Sequence, residues 1–325
     1  MRYTKLNKLN FSKITLGTVQ LSMKYGISNV TESSFKTTNQ VLKTAKKLGI
    51  SSFDTSPQYG NIEKTLGDFF EKEKIENPTV ISKIPSIQFI EKPNFDDVYN
   101  KVKKNIIKSL NDLNLKKIPV CLIHNPEDMS NFDGMVVKSL ELLKQNGHIE
   151  KIGCSVYTIK DVEKFLKINE FEVIEIPINL FNTKILNDKT LLQLKEKNII
   201  ILARSVFLQG LFFLDPYNLP PKVEKAKKYL IELNKISDNY SISIPNLALS
   251  FVNSQKHISS IIIGVENSQQ LSQNIEWSNT TLPQKIEKII LEKFSNIPES
   301  VNNPLEWIKA EKQINENIKF KNKLV

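Results

Sequence analysis

Asn94-Phe95-Asp96-Asp97-Val98 opens, and Pro119-Val120-Cys121-Leu122-Ile123-His124 closes, the stretch whose reading decides the fold. Asn94 puts a side-chain oxygen just ahead of two acids, where the first amides of a helix lack partners. Val98, Val102, Ile106 and Leu110 then recur at every fourth position and form one apolar stripe. Pro119 to His124 is a short apolar run that reads as a strand, so the stretch is one helix followed by one strand.

Working outward, the same alternation runs almost from end to end. Strand-like runs lie at Ile14 to Gly17, Ser51 to Asp54, Thr79 to Lys83, Pro119 to His124, Lys151 to Ser155, Val173 to Ile176, Ile199 to Ala203 and Ser260 to Gly264. Thr158, followed three residues later by Asp161, starts another helix, and Asn146-Gly147 stops one just before the fifth strand. The seventh unit is expanded, with helical segments at Lys222 to Asn239 and Pro245 to Asn253. Eight strands with crossover helices fit a closed (β/α)8 TIM barrel of the α/β class better than an open doubly wound sheet. Length agrees, since such barrels commonly run ~250 residues as one domain. The expectation is a single barrel over 1–277 and a C-terminal extension, 278–325, with a few helical pieces that packs on or near it.

Of the 325 residues, 40% are hydrophobic and 25% charged, the balance of a folded globular chain. The net charge is +10, but Arg2 and Arg204 are the only arginines and the lysines are scattered along helix-like segments. Nucleic-acid surfaces concentrate both residue types on one face, so no nucleic-acid partner is expected. Cys121 and Cys154 each sit in a strand-like run and read as buried small hydrophobes, which points to a reducing compartment. Met1 to Gly17 carries no apolar core of a signal peptide, and no segment reaches the ~18 apolar residues of a membrane span. A cytoplasmic protein without a membrane partner is therefore expected. His124, His148 and His257 have no metal-ligand spacing, and no G-x-G-x-x-G, phosphate-binding or G-x-S-x-G loop occurs.

In a barrel of this kind the chemistry sits where strands end. The second strand runs into Asp54-Thr55-Ser56-Pro57-Gln58-Tyr59-Gly60, the third ends in Ser82-Lys83, and the fourth delivers His124. Carbonyl reduction needs a proton for oxygen as hydride reaches carbon, and tyrosine with a pKa of about 10 is a weak acid. An ammonium beside Tyr59 lowers its pKa, and a carboxylate holds that ammonium, so Tyr59, Lys83 and Asp54 take those roles; His124 donates a hydrogen bond to the substrate oxygen. Taken singly, each residue is more often a turn or cap, a solvent-exposed lysine or a satisfied polar group; it is their arrival on consecutive strand ends that points to chemistry.

At these residues the chain resembles the aldo-keto reductase family. The loop signature is Asp54-Thr55-Ser56 through Tyr59-Gly60, Glu63 and Leu66-Gly67; Gly147 to Ser155 also matches, and the resemblance covers about Leu16 to Asn274. It implies reduction of an aldehyde or ketone with NADP(H) or NAD(H), with Asp54, Tyr59, Lys83 and His124 as the catalytic four. It further implies that Ser155 holds the nicotinamide carboxamide, that Ser205, Phe207, Gln209 and Gly210 lie along the pyrophosphate, and that Gly264 to Asn274 encloses the adenosine with Gln270 and Asn274 facing the adenine. Glu175 stands where the family commonly has glutamine, Val156 where it has asparagine, and Ile178 at a place often held by tyrosine.

Arg204 replaces an aromatic residue that stacks on the nicotinamide. Two readings follow: Arg204 favours the reduced cofactor or engages an anionic substrate, or else it makes a structural salt bridge at the rim. Glu266 lies where relatives place a group that meets the 2′-phosphate; a carboxylate there repels that phosphate and can accept from a free 2′-hydroxyl instead, whereas the family as a whole leans to NADPH, so the two indications conflict. The phrases Leu16 to Gln20, Tyr25 to Ile27 and Ala203 to Gly210 resemble a bacterial subset associated with surface-polysaccharide or acidic-sugar biosynthesis, which implies a sugar-derived carbonyl substrate. A cofactor-binding regulatory or partner subunit with little turnover is the alternative.

Overall fold

The computed structural model describes residues 3–6, 9–27, 34–187 and 189–321; Arg2 and positions 322–325 of the expected extension lie outside them. The chain begins with an antiparallel pair, β1 (Tyr3–Leu6) and β2 (Leu9–Ser12). It then alternates β3 (Ile14–Gly17), α1 (Phe35–Lys47), β4 (Ser52–Asp54), α2 (Ile62–Lys72), β5 (Thr79–Ile84) and α3 (Phe95–Asp112). β6 (Ile118–Ile123), α4 (Met135–Gln145), β7 (Ile149–Ser155), α5 (Ile159–Phe165), β8 (Val173–Pro177), α6 (Lys189–Glu196) and β9 (Ile200–Arg204) follow. α7 (Lys227–Tyr240) and α8 (Ile244–Ser254) form the expanded seventh connection before β10 (Ser260–Gly264) and α9 (Ser268–Ser278); α10 (Gln284–Lys293), α11 (Glu299–Asn302) and α12 (Pro304–Lys321) end the chain.

β3 to β10 pair in parallel and close on themselves, β10 lying beside β3, so the fold is a (β/α)8 barrel. Local sequence accounts for much of it. Asn94 and Asp97 form a reciprocal capping box at the head of α3, Thr158 and Asp161 do the same at α5, and Gly147 turns the chain after α4 at φ +81°. Val98, Val102, Ile106 and Leu110 of α3 are all buried against the barrel. Strand ends differ from expectation by one or two residues. β5 continues past Lys83 to Ile84, β6 stops at Ile123 so that His124 opens the loop, and β9 reaches Arg204.

The N-terminal pair was not expected. Leu9 and Phe11 of β2 join Ile81, Val120, Leu122, Val173, Ile200, Leu202 and Ile262 in one apolar cluster, so the pair closes the floor of the barrel. Beyond α9, Leu282, Ile286, Ile290, Phe294, Ile297, Val301 and Trp307 belong to the main apolar core.

Candidate active site

Strand side chains alternate between the two faces of a sheet, so positions two apart share a face. Ile81, Leu122, Val173, Leu202 and Ile262 line the apolar lumen. Two residues further along the chain come Lys83, Glu175, Arg204 and Gly264 on the same strands and His124 just past the end of β6. β4 passes from Ser52 to Asp54 and β7 from Gly153 to Ser155 in the same way. One step of the strand period therefore converts an apolar lumen into a polar, charged mouth.

The loop after β4 is set by short bonds. Thr18 N and Oγ1 both donate to Asp54 O, at 3.0 and 2.9 Å, and Tyr59 N donates to Ser56 O at 2.9 Å. Gly60 at φ +63° ends the turn. Tyr59 is thereby carried over the mouth, its ring edge-on to the His124 ring with centroids 5.9 Å apart and its centroid 5.7 Å from Lys83 Nζ. The signature residues Glu63 and Gly67 serve packing. Glu63 accepts from Ser82 Oγ (2.6 Å) and Ser109 Oγ (2.8 Å), and a Cβ on Gly67 would fall 2.2 Å from Asp112 O, where α2 meets α3.

Below the phenol lies a buried cluster of four charges. Lys83 Nζ donates to Asp54 Oδ1 and to Thr55 O (3.2 Å), and sits 3.4 Å from Glu175 Oε2. Arg204 Nε forms an ion pair with Glu175 Oε1 at 3.2 Å, and Ser155 Oγ donates to that oxygen at 2.9 Å. The guanidinium is fixed further by bonds to Val156 O (2.8 Å) and Ser205 Oγ (3.1 Å), with Cζ 4.6 Å from the Tyr157 ring centroid. Of the two readings of Arg204, the salt bridge is the one the geometry contains, and its partner is the other unusual residue, Glu175.

These contacts set the protonation states. Burial pushes the Asp54 carboxyl up to about 7, with Lys83 opposing the rise and Glu175 adding to it. Burial disfavours the Lys83 ammonium, but Asp54 and Glu175 outweigh it and hold the amine charged. Glu175 is likewise disfavoured by burial yet kept below the usual carboxylate range by Lys83 and Arg204. Burial, with Lys83 beside it, lowers His124 to about 4, so the imidazole is neutral at neutral pH. His124 Nδ1 lies 3.0 Å from Gln58 Oε1, and Gln58 sets the tautomer: an amide oxygen facing Nδ1 keeps the proton there, an amide nitrogen moves it to Nε2. The expected lowering of Tyr59 is corrected. Burial raises the phenol above its usual value, and Lys83 only partly offsets this, because desolvation of a phenolate exceeds the attraction of an ammonium already shared by two carboxylates.

A cavity of ≈ 460 Å³ runs from this cluster across the mouth to α9, within the range of small-molecule sites. Its lining contains Asp54, Tyr59, Glu175, Arg204, Ser205, Phe207, Gln209, Gly210, Gly264, Glu266, Gln270 and Asn274. Lys83, His124 and Ser155 are not on the lining; they lie behind or beside it, bonded as described. Ser205, Leu208, Gln209 and Gly210 all have positive φ, and this bent loop is tied to the first βα loop by Ile27 N to Gln209 O (3.0 Å) and Gln209 Nε2 to Tyr25 Oη (3.2 Å). Sequence reading passed over Gln20, Tyr25 and Trp277, which also line the cavity. A Cβ on Gly264 would fall 1.7 Å from Gln20 Oε1, so the glycine is what lets that side chain lie across β10. The signal for Gln20 and Tyr25 was their place just after β3, at a strand end like the others. At the far end Gln270 Oε1 accepts from Glu266 N (2.9 Å), and Gln270 Nε2 donates to the Glu266 carboxylate (3.2 Å).

The residues fit a nicotinamide nucleotide. The cavity's lining extends from Asp54 to Asn274 of α9, and Glu175 Oε2, buried on its wall, has no hydrogen-bond partner of good geometry among the described residues, so an amide N–H would satisfy it.

A model of the Aldo/keto reductase family matches residues 13–293. L-galactose dehydrogenase of Arabidopsis thaliana is 27% identical over 247 residues, which cover 72% of this chain and 75% of that protein. NADH-specific methylglyoxal reductase of Escherichia coli is 23% identical over 267 residues, covering 73% and 81%. Among solved structures, the holo form of an aldo-keto reductase from Bacillus halodurans has the same fold, with a TM-score of 0.73 at 18% identity over 93% of this chain and 100% of that one.

Proposed function

The chain belongs to the Aldo/keto reductase family and is an NAD(P)H-dependent oxidoreductase, and from that premise we propose that it reduces a sugar-derived aldehyde or ketone through Tyr59, Lys83, Asp54 and His124. The observation that carries this reading is the meeting of a phenol, an imidazole and a carboxylate-held ammonium beside one cavity. NAD(P)H, when bound, supplies the hydride. Tyr59 gives its proton to the carbonyl oxygen, and the Lys83 ammonium stabilises the phenolate left behind. Asp54 and Glu175 keep that ammonium charged and in place. His124, neutral, faces the same oxygen and orients it, the ring nitrogen that carries its proton being set by which end of the Gln58 amide meets Nδ1. Glu175, held from behind by Ser155, receives the carboxamide, Ser205 to Gly210 the pyrophosphate, and Gly264, Gln270 and Asn274 the adenosine.

Glu266 is the charged residue among those lining the far end of the cavity, so a free ribose diol is accepted there in preference to a 2′-phosphate, and NADH is favoured over NADPH. A sugar substrate is supported by the likeness to a protein named for L-galactose and by the loop phrases noted above, which also suggest surface-polysaccharide biosynthesis. Among the described residues no helix is long and apolar enough to cross a membrane, and both cysteines are free and buried, which supports work in the reducing cytoplasm.

The test is a screen that follows NADH and NADPH absorbance with free, phosphorylated and nucleotide-linked sugar carbonyls. The expected result is turnover with at least one of them, lower KM for NADH, and a fall in kcat/KM of about 1,000-fold in Tyr59→Phe. Nucleotide binding without turnover on any carbonyl would instead favour a partner subunit.

A further inference from the structure

Glu175 and Arg204 look in the sequence like two separate oddities at the nicotinamide end of the site. In the fold they are one feature. β8 and β9 are neighbours, Glu175 pairing in register with Leu202, and the two side chains meet at 3.2 Å on the wall of the cavity that also holds Asp54 and Tyr59. Both side chains are largely buried, Arg204 at 16% and Glu175 at 4% side-chain exposure. The second oxygen of Glu175 faces the Lys83 ammonium at 3.4 Å. Glu175 thus touches both cations of the cluster, whereas Asp54 touches only Lys83.

That arrangement bears on a ring whose charge changes during the reaction. If Tyr59 protonates the carbonyl oxygen, the ring that gives the hydride must lie in the same cavity, within a few ångströms of these four charges. The reduced ring is neutral and the oxidised ring carries a positive charge. Lys83 and Arg204 both oppose the oxidised form, and in a buried site a unit charge at such range changes an equilibrium by about tenfold or more. The other titratable groups facing the cluster are Tyr25, Tyr59, Tyr157 and His124; burial raises the Tyr25 and Tyr59 phenols and keeps His124 neutral, so these three add no negative charge at neutral pH.

We infer that Glu175 is a specificity-determining residue which cancels the charge of Arg204, so that the cleft holds the oxidised nicotinamide nucleotide as well as the reduced one. The inference rests on the functional reading above only in placing the nicotinamide beside Tyr59. It assigns Arg204 a role as the anchor of Glu175, through its further bonds to Val156 O and Ser205 Oγ, in place of direct selection of the reduced cofactor.

The experiment is isothermal titration calorimetry of the full chain with NAD+ and NADH, and with NADP+ and NADPH, at pH 7.5. It compares wild type, Glu175→Gln, Arg204→Met and the double variant, and reads the ratio of oxidised to reduced Kd. Glu175→Gln is expected to raise that ratio about tenfold, Arg204→Met to lower it, and the double variant to return it to within about threefold of wild type. A purely structural role for Glu175 would weaken both members of a couple alike and leave the ratio where it was, which overturns the inference. If Glu175→Gln does not fold, Arg204→Met decides alone: a ratio that stays level or rises overturns it. Wild-type protein that binds none of the four nucleotides refutes the functional reading itself, whereas binding with an unmoved ratio refutes only this assignment.

Discussion

The floor and the mouth of the barrel are both buried and both contain polar groups, yet they are built on opposite principles. At the floor Ser12, Ser52, Thr15 and Ser260 form a chain of neutral hydroxyls, 2.8, 2.7 and 2.7 Å apart, that ends where Ser260 donates to Ser12 O at 2.7 Å. Every hydroxyl there has a partner, and Leu9 and Phe11 seal the lumen just beside them. At the mouth, four charges replace the hydroxyls. Thr55 Oγ1, Glu175 Oε2 and Arg204 Nε are buried with no hydrogen bond of good geometry among the described residues. A buried hydroxyl left in that state, as at Thr55, costs ~1–3 kcal/mol. The other two atoms belong to ion pairs, Glu175 Oε2 with Lys83 at 3.4 Å and Arg204 Nε with Glu175 Oε1 at 3.2 Å, whose desolvation offsets their attraction, so the mouth adds little to the fold that the floor secures. The difference separates residues kept for stability from residues kept for a ligand, on the same eight strands.

The sharpest way to break that division is Phe11→Ala. The ring is fully buried in the floor cluster, and its removal is expected to lower unfolding stability by about 3–5 kcal/mol in urea titrations. NADH affinity of the folded fraction should stay within about twofold of wild type, because the mouth is held by strand pairing and not by the plug. A large loss of affinity would mean that the two ends are coupled and that the comparison is wrong.

A charge at the mouth should show the opposite behaviour, and pH reveals it. The folded pKa of Asp54, about 7, lies above the ordinary value of 3.8, so between those limits the folded protein holds a proton that the unfolded chain has lost. The stability due to that group is therefore complete below about pH 4 and is lost as pH rises through 7. Asp54→Asn cannot titrate. Stability measured from pH 4 to pH 8 should fall for wild type relative to this variant by about 2–4 kcal/mol, while nucleotide turnover by the variant is impaired throughout. A difference that does not change with pH would remove Asp54 as a destabilising charge.

These contrasts also explain what could be read from the sequence. The barrel was legible because its signals are local: the capping residues Asn94 and Thr158, the turn at Gly147, and the apolar stripe of α3 act within a few residues of themselves. Asp54, Tyr59, Lys83 and His124 were legible because strand ends converge at one rim whatever the register. The N-terminal pair escaped because each strand is only four residues long and gives too few positions for alternation to register. The contact between Glu175 and Arg204 escaped for a different reason. It requires knowing which strands neighbour one another and their register, which Glu175 paired with Leu202 supplies and composition does not. The direction of the Tyr59 shift was missed because proximity to Lys83 can be guessed from sequence, whereas depth of burial cannot.

The smallest expected effect tests the floor at its most redundant point. Ser52 Oγ lies between Ser12 Oγ and Thr15 Oγ1, so Ser52→Ala removes two hydroxyl contacts but, with one proton per hydroxyl, a net of one hydrogen bond, and leaves a space the size of one oxygen. Neither neighbour is stranded, since Ser12 Oγ still bonds Ile14 O at 2.6 Å and Thr15 Oγ1 still bonds Ser260 Oγ at 2.7 Å. A loss of about 1 kcal/mol is therefore expected, in contrast to the ~1–3 kcal/mol for each donor or acceptor that a break leaves unpaired. Urea unfolding measures it directly, with Tyr59→Phe as a control that should change turnover far more than stability. A Ser52→Ala loss well above 2 kcal/mol would show that the hydroxyl chain acts as one unit, and the floor would then owe its strength to cooperative bonding more than to the apolar seal beneath it.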